Sequence, residues 1–145
     1  MIHFKLSEFT QSSTANQLGI DNKPDGGSIS RIELLVKEVL DPVRELLGRP
    51  IIITSGFRSE KLNKAVGGAP TSQHLTGEAA DMTCYNNLYL YELIKNNLLY
   101  DQVIYETADI KKDGKVIGKR EWVHCSYKYR GNRKQAFKMH NGKIV

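Results

Sequence analysis

The chain has 145 residues, 40% of them hydrophobic and 26% charged, with a formal net charge of +5. That length suits one domain, residues 1–145, built around one core. The balance is that of a soluble globular protein, and no apolar run is long enough to cross a bilayer.

The start, Met1-Ile2-His3-Phe4-Lys5, lacks the apolar region of a signal peptide. The first 28 residues are polar, rich in Ser, Thr, Asn and Gly, and read as an ordered leader wrapped on the domain. Within it Leu6-Ser7-Glu8-Phe9 suits one helical turn, Thr10 to Thr14 reads as loop, and Asn22-Lys23-Pro24-Asp25-Gly26-Gly27 is a turn cluster. Ser30 and Glu33 have the spacing of a capping box. The apolar residues Ile32, Leu35, Val36, Val39, Leu40, Val43, Leu46 and Leu47 then recur at helical spacing, predicting a helix with one buried face. Pro42 has no amide proton and should kink that helix near Leu40; Gly48 ends it.

Ile51-Ile52-Ile53-Thr54 is a β-branched run that reads as a central strand, and Ser59 caps a short helix from Glu60 to Val66. A strand carries Asp81 onward through Met82-Thr83-Cys84. Asn87 caps a second helix, with Leu90, Leu93, Ile94 and Leu98 facing inward. The strand Gln102 to Glu106 follows, and Asp113-Gly114 is a hairpin signal joining Ile110 to Val116-Ile117. From Trp122 to Tyr127 the pattern alternates, placing Trp122, His124 and Ser126 on one face and Val123, Cys125 and Tyr127 on the other. Asn132-Arg133-Lys134 reads as a solvated turn, and Asn141-Gly142 marks a last hairpin. Helices precede a small, mainly antiparallel sheet, so the expected class is α+β with helices packed on one side. Cys84 and Cys125 lack CxxC spacing and imply no disulfide framework; both read as small buried thiols.

The residues that carry chemistry cluster between Ile51 and Asp81 and around His124. Zinc takes two imidazoles and a carboxylate readily and leaves a fourth position for water at catalytic sites. His74, Asp81 and His124 supply that set, and Gly77, Ala79 and Ala80 keep the turn between the first two small. Arg58, delivered by Ser55-Gly56-Phe57-Arg58, is a guanidinium suited to an oxyanion or a carboxylate. Lys and Arg are thickest between Lys111 and Lys143. That basic surface suits an anionic polymer such as bacterial cell wall. A specific nucleic-acid partner has no helix-turn-helix, RNA-recognition signature or Cys/His finger to support it.

Together, Ser55-Gly56-Phe57-Arg58-Ser59, the SxHxxGxAxD pattern from Ser72 to Asp81 and Trp122-Val123-His124-Cys125-Ser126-Tyr127 resemble the D-alanyl-D-alanine carboxypeptidase branch of the zinc murein peptidases. That group shares its fold with lysostaphin-type peptidases and the hedgehog signalling domain. The resemblance runs from about Phe4 to Arg133. The start Phe9-Thr10-Gln11-Ser12-Ser13-Thr14-Ala15 is similar to small forms found in bacteriophages and prophages. The resemblance implies one zinc ion on His74, Asp81 and His124, with Arg58 beside the reacting carbonyl. It also implies a substrate contact at Ser72, which equally suits capping the turn before His74; Trp122 and Tyr127 flank the site and read as core residues, with Tyr127 kept as a candidate substrate contact.

The general base stays open between two residues. Glu121, three before the last His, matches several relatives, but it has the opposite strand parity to His124 and would need a bulge to face the metal. Glu106, ending the neighbouring strand, is the rival. The implied activity is hydrolysis of a peptide bond in peptidoglycan stem peptides, as a carboxypeptidase or an endolysin-type endopeptidase. The protein is expected to be monomeric and to stay cytoplasmic until release, or to be virion-associated. The competing reading is a zinc-stabilised cell-wall-binding module without catalysis, which the hedgehog domain shows this fold permits.

Overall fold

A computed structural model describes all 145 residues as an α+β fold built on one six-stranded sheet. Its helices are α1 (Ser13–Leu18), α2 (Gly26–Leu35), α3 (Asp41–Leu47), α4 (Glu60–Ala65) and α5 (Asn87–Asn97). The strands are β1 (Ile52–Ser55), β2 (Ala79–Thr83), β3 (Gln102–Lys112), β4 (Lys115–Ser126), β5 (Gln135–His140) and β6 (Lys143–Ile144). They lie in the order β1-β2-β4-β3-β5-β6, antiparallel throughout except for the parallel pair β3 and β5. The β1 run is therefore an edge strand rather than a central one. Ile53 turns into the core at 3% exposure, whereas Ile52 is 61% exposed, so only one face of the run is covered.

The long first helix begins earlier than the capping-box reading placed it. Asp25 accepts the Ser28 amide at 2.7 Å, Gly26 and Gly27 form the first turn, and Ser30 lies inside the helix with its hydroxyl bonded to the Gly26 carbonyl. Pro42 is accommodated by a wider π turn, Val36–Leu40, that joins α2 to α3 without a break. The cap of α5 is Asn86, one residue before the expected Asn87. Asn87 is instead buried, accepting the Cys84 amide and donating to Glu121.

Strand alternation sorts the sheet into two faces. Ala80, Met82, Val103, Val123 and Cys125 face the helices and join Val36, Val39, Leu40, Val43, Leu90, Tyr91 and Ile94 in one core, in which each is at most 2% exposed. Cys125 is buried there as a free thiol, and Cys84 is free and half-buried. The opposite face, carrying Asp81, Glu106, Trp122 and His124, is left to the loops before α4 and β2.

The leader is built into this arrangement. Phe4 and Phe9 are core residues, and Ser12 caps α1 where loop was expected. Asn22 donates to the carbonyls of Thr10 and Phe57 and accepts the Ser59 amide at 2.8 Å. The Phe9 carbonyl takes the Phe57 amide, and a Cβ on Gly56 would stand 2.5 Å from that same carbonyl oxygen. Only glycine lets the leader approach this closely, and the approach holds the segment that presents Arg58.

Candidate metal centre

β2 and β4 are neighbours, and in their register Asp81 stands directly opposite His124. His74 arrives from a 3-10 turn, Gln73–Thr76, that folds back over the same face. Ser72 caps this turn by accepting the His74 amide, and Gly77 closes it with a φ of 81°. A side chain at Gly77 would meet the Ser28 carbonyl at 2.5 Å, because the turn is pressed against the start of α2. Arg31 of α2 donates to the Thr76 carbonyl at 2.6 Å and completes the brace.

The three candidate ligands converge. His74 Nε2 lies 3.3 Å from one Asp81 carboxylate oxygen, His124 Nδ1 lies 3.0 Å from the other, and one ligand atom from each residue falls within 4.8 Å of the rest. Ligand atoms at about 2.05 Å from a tetrahedral zinc stand about 3.3 Å apart, which the two His–Asp separations approach, while the widest separation, within 4.8 Å, would contract on binding. His74 is 3% exposed, and its Nδ1 meets the Gly56 carbonyl at 2.7 Å. That bond keeps a proton on Nδ1, so Nε2, which faces Asp81, is the nitrogen that would give up its proton to bind a metal. Burial works against ionising Asp81, but the charges and hydrogen bonds of His74 and His124 outweigh it and hold the carboxyl well below the usual range. An anionic oxygen flanked by two imidazole nitrogens is a divalent-cation donor set.

A cleft of about 460 Å³ opens over this centre, lined by Arg58, Ser72, Gln73, Glu106, Trp122 and Arg133 among others. Arg58 donates to Asn63 at 3.0 Å and stands 3.9 Å from Asp81. Glu106, directly opposite Trp122 in the β3–β4 register, accepts the Trp122 indole N–H at 3.1 Å. Burial and the nearby Asp81 charge raise its pKa above the ordinary carboxylate value, favouring proton uptake.

The register also corrects two expectations. Glu121 pairs with Thr107 and turns to the helix face, where it accepts from Asn87 at 3.1 Å and from the Tyr105 hydroxyl at 2.8 Å. No bulge intervenes between Glu121 and His124, so parity keeps it away from the metal ligands. Tyr127 does not line the cleft either; it packs against the core, and its amide donates to the Glu78 carbonyl. Ser72 does line it, although its hydroxyl serves the turn.

One charged residue of the cleft, Arg133, carried no functional expectation. Arg133, read as part of a solvated turn, is held by Asp101, a fully buried carboxylate that accepts from its backbone amide, Nε and Nη2. Asp101 also accepts from Gln73, next to His74. Burial would raise the Asp101 pKa, but these bonds bring it down to about 2. The sequence signal was an acid between two apolar segments, Tyr100-Asp101-Gln102-Val103, which needs a partner if buried. Its partner lies 32 residues away and only the fold names it. His3 and His140 lie outside the centre, paired with Glu45 and with Thr107 and Asp109.

Comparison with known proteins agrees with this geometry. A family model described as Peptidase M15 matches residues 2–126. The chain is also similar to the Zinc D-Ala-D-Ala carboxypeptidase of Streptomyces albus G, with 46% identity over 44 residues. That match takes in 30% of this chain and spans only 17% of the relative's length.

Proposed function

Because the chain belongs to the peptidase M15 family, we propose that it is a zinc-dependent peptidase that hydrolyses a peptide bond in the stem peptides of bacterial peptidoglycan. The observation that carries this reading is the convergence of His74, Asp81 and His124 at the floor of a cleft that also holds Glu106 and Arg58. The activity for which the Streptomyces relative is named supports the substrate class.

A zinc ion in that donor set would supply Lewis acidity and bring the pKa of a water to about 7. The residues do the rest. Glu106 accepts the proton as the water attacks the peptide carbonyl and then delivers it to the leaving amine. Trp122 holds one of its oxygens by hydrogen bond, leaving the other for the proton. Arg58, fixed by Asn63 in the cleft wall, faces the charge that develops on the carbonyl oxygen. The Gly56 carbonyl keeps His74 in the tautomer that can bind metal. Arg133, with Nη1 not engaged by Asp101, offers a cationic contact for a substrate carboxylate at the other side of the cleft.

The test is digestion of purified murein with the zinc-loaded protein, read by mass spectrometry. New stem-peptide products that vanish with a chelator and return with zinc are expected. Release of free D-Ala identifies carboxypeptidase action, and an internal cut identifies the endopeptidase action of an endolysin. Metal-dependent binding of murein without any product would replace the enzyme with a wall-binding module.

A further inference from the structure

β3 and β4 run on together past the rest of the sheet. β5 pairs with β3 only as far as Thr107, and β2 pairs with β4 only between Val123 and Ser126. Residues 108–112 and 115–121 therefore pair along their length only with β3 and β4 themselves, closed by Asp113 and Gly114, both at positive φ. At about 3.3 Å per residue this ribbon projects roughly 15 Å. Every residue from Ile110 to Arg120 except Gly118 is exposed.

The ribbon concentrates the charge of the molecule. Its outer part, Ile110 to Arg120, holds Lys111, Lys112, Lys115, Lys119 and Arg120 against the single acid Asp113, a net +4; Asp109 and Glu121 at its base bring residues 108–121 to +2. The acids that flank it are engaged elsewhere, Asp109 with Asn141 and His140, and Glu121 with Asn87 and Tyr105. Lys112 stands directly opposite Lys115 in the register, an arrangement that destabilises a β pair.

We propose that this ribbon docks an anionic phosphodiester polymer of the bacterial cell wall; the choice of polymer rests on the peptidoglycan reading above. Charge complementarity selects a polyanion, and the remaining features select among polyanions. No aromatic residue lies between Ile110 and Arg120, so bases would find no stacking platform. Between Ile110 and Arg120 the only apolar side chains are Ile110, Val116 and Ile117, the last unpaired at a bulge, which is too little apolar surface to enter a bilayer. A flexible phosphodiester chain needs neither. The root of the ribbon is the wall of the cleft: Arg120 lies 5.8 Å from the Trp122 ring, and Trp122 lines the cleft. A polymer held on the ribbon keeps the peptides of its parent wall at high local concentration beside the metal centre.

The test compares the full chain with its Lys111→Gln, Lys112→Gln, Lys115→Gln, Lys119→Gln variant. Co-sedimentation is measured with sacculi that retain the phosphodiester polymer and with sacculi chemically stripped of it. Wild-type affinity for intact sacculi should fall by tens-fold between about 50 and 200 mM salt, as release of counterions from about four phosphate contacts requires. The variant, and the wild type on stripped sacculi, should bind tens-fold more weakly than the wild type on intact sacculi at low salt. The variant should still hydrolyse a short soluble stem peptide at the wild-type rate, which shows that it folds. Lys112→Glu alone should give a smaller loss of the same sign. Equal binding by variant and wild type, equal binding to stripped sacculi, or tighter binding to anionic phospholipid vesicles or single-stranded DNA would each overturn the proposal. A wild type that docks in this manner yet leaves the soluble peptide intact supports the ribbon and rejects the peptidase reading.

Discussion

At the scale of single residues, the division of labour between Glu106 and Glu121 turns on strand parity. Both are glutamates within two strands of the metal centre, but Glu106 shares a face with Trp122 and His124, while Glu121 faces Asn87 and Tyr105. If Glu106 is the base, as proposed, Glu106→Gln keeps the shape and removes it, so kcat should fall by about 10²–10⁴ while the zinc content measured by elemental analysis is unchanged. Glu121→Gln should leave kcat within a few-fold of wild type and express itself as a modest fall in stability through its lost bonds. His74→Ala should remove both activity and bound zinc, because it deletes the ligand whose tautomer the Gly56 carbonyl selects.

At the scale of elements, the site depends on segments that never touch substrate. The turn carrying His74 is wedged against α2, so Gly77→Ala must relieve both a φ of 81° and a 2.5 Å approach to the Ser28 carbonyl. A loss of about 1–3 kcal/mol is expected in denaturant unfolding, together with weaker zinc binding by calorimetry as His74 shifts. The leader has a parallel role for Arg58. Asn22 ties Thr10, Phe57 and Ser59 together, and the leader packs where Gly56 leaves room. The π turn in the first long helix is likewise local chemistry: Pro42 cannot donate, and the wider turn before it absorbs the mismatch.

At the scale of the whole molecule, metal and protons act on the same fold. A ligand bound only by the folded state stabilises by about 2.7 kcal/mol at one hundred times its Kd. For a chain of this size that corresponds to a Tm rise on the order of 5–10 °C on adding zinc, reversed by chelator. Acid stability has a separate handle in Asp101, whose pKa the Arg133 and Gln73 bonds lower to about 2. A depressed carboxyl pKa contributes stability above its unfolded value near 3.9 and loses it as pH falls toward 2. With Arg133 partly in solvent, the contribution is about 1–2 kcal/mol. Asp101→Asn should therefore flatten the stability profile between about pH 4 and pH 2 in thermal unfolding, without touching the metal ligands.

Local rules were enough for whatever depended on neighbours in the chain. The Asp113-Gly114 and Asn141-Gly142 turns, the Ser59 cap and the Gly48 stop are short-range decisions of backbone conformation, and each stands where the sequence places it. The candidate donor set was also legible, since two imidazoles and a carboxylate around small residues suit a metal, and the fold brings the three side chains together. What required the tertiary structure was every decision made by register. The edge position of β1, the face on which Glu121 lies, the parallel strand β5 and the pairing of Arg133 with Asp101 join residues separated by tens of positions. A one-residue change of register moves a side chain to the opposite face of a sheet, so only the assembled sheet decides which glutamate shares a face with His124 and Asp81.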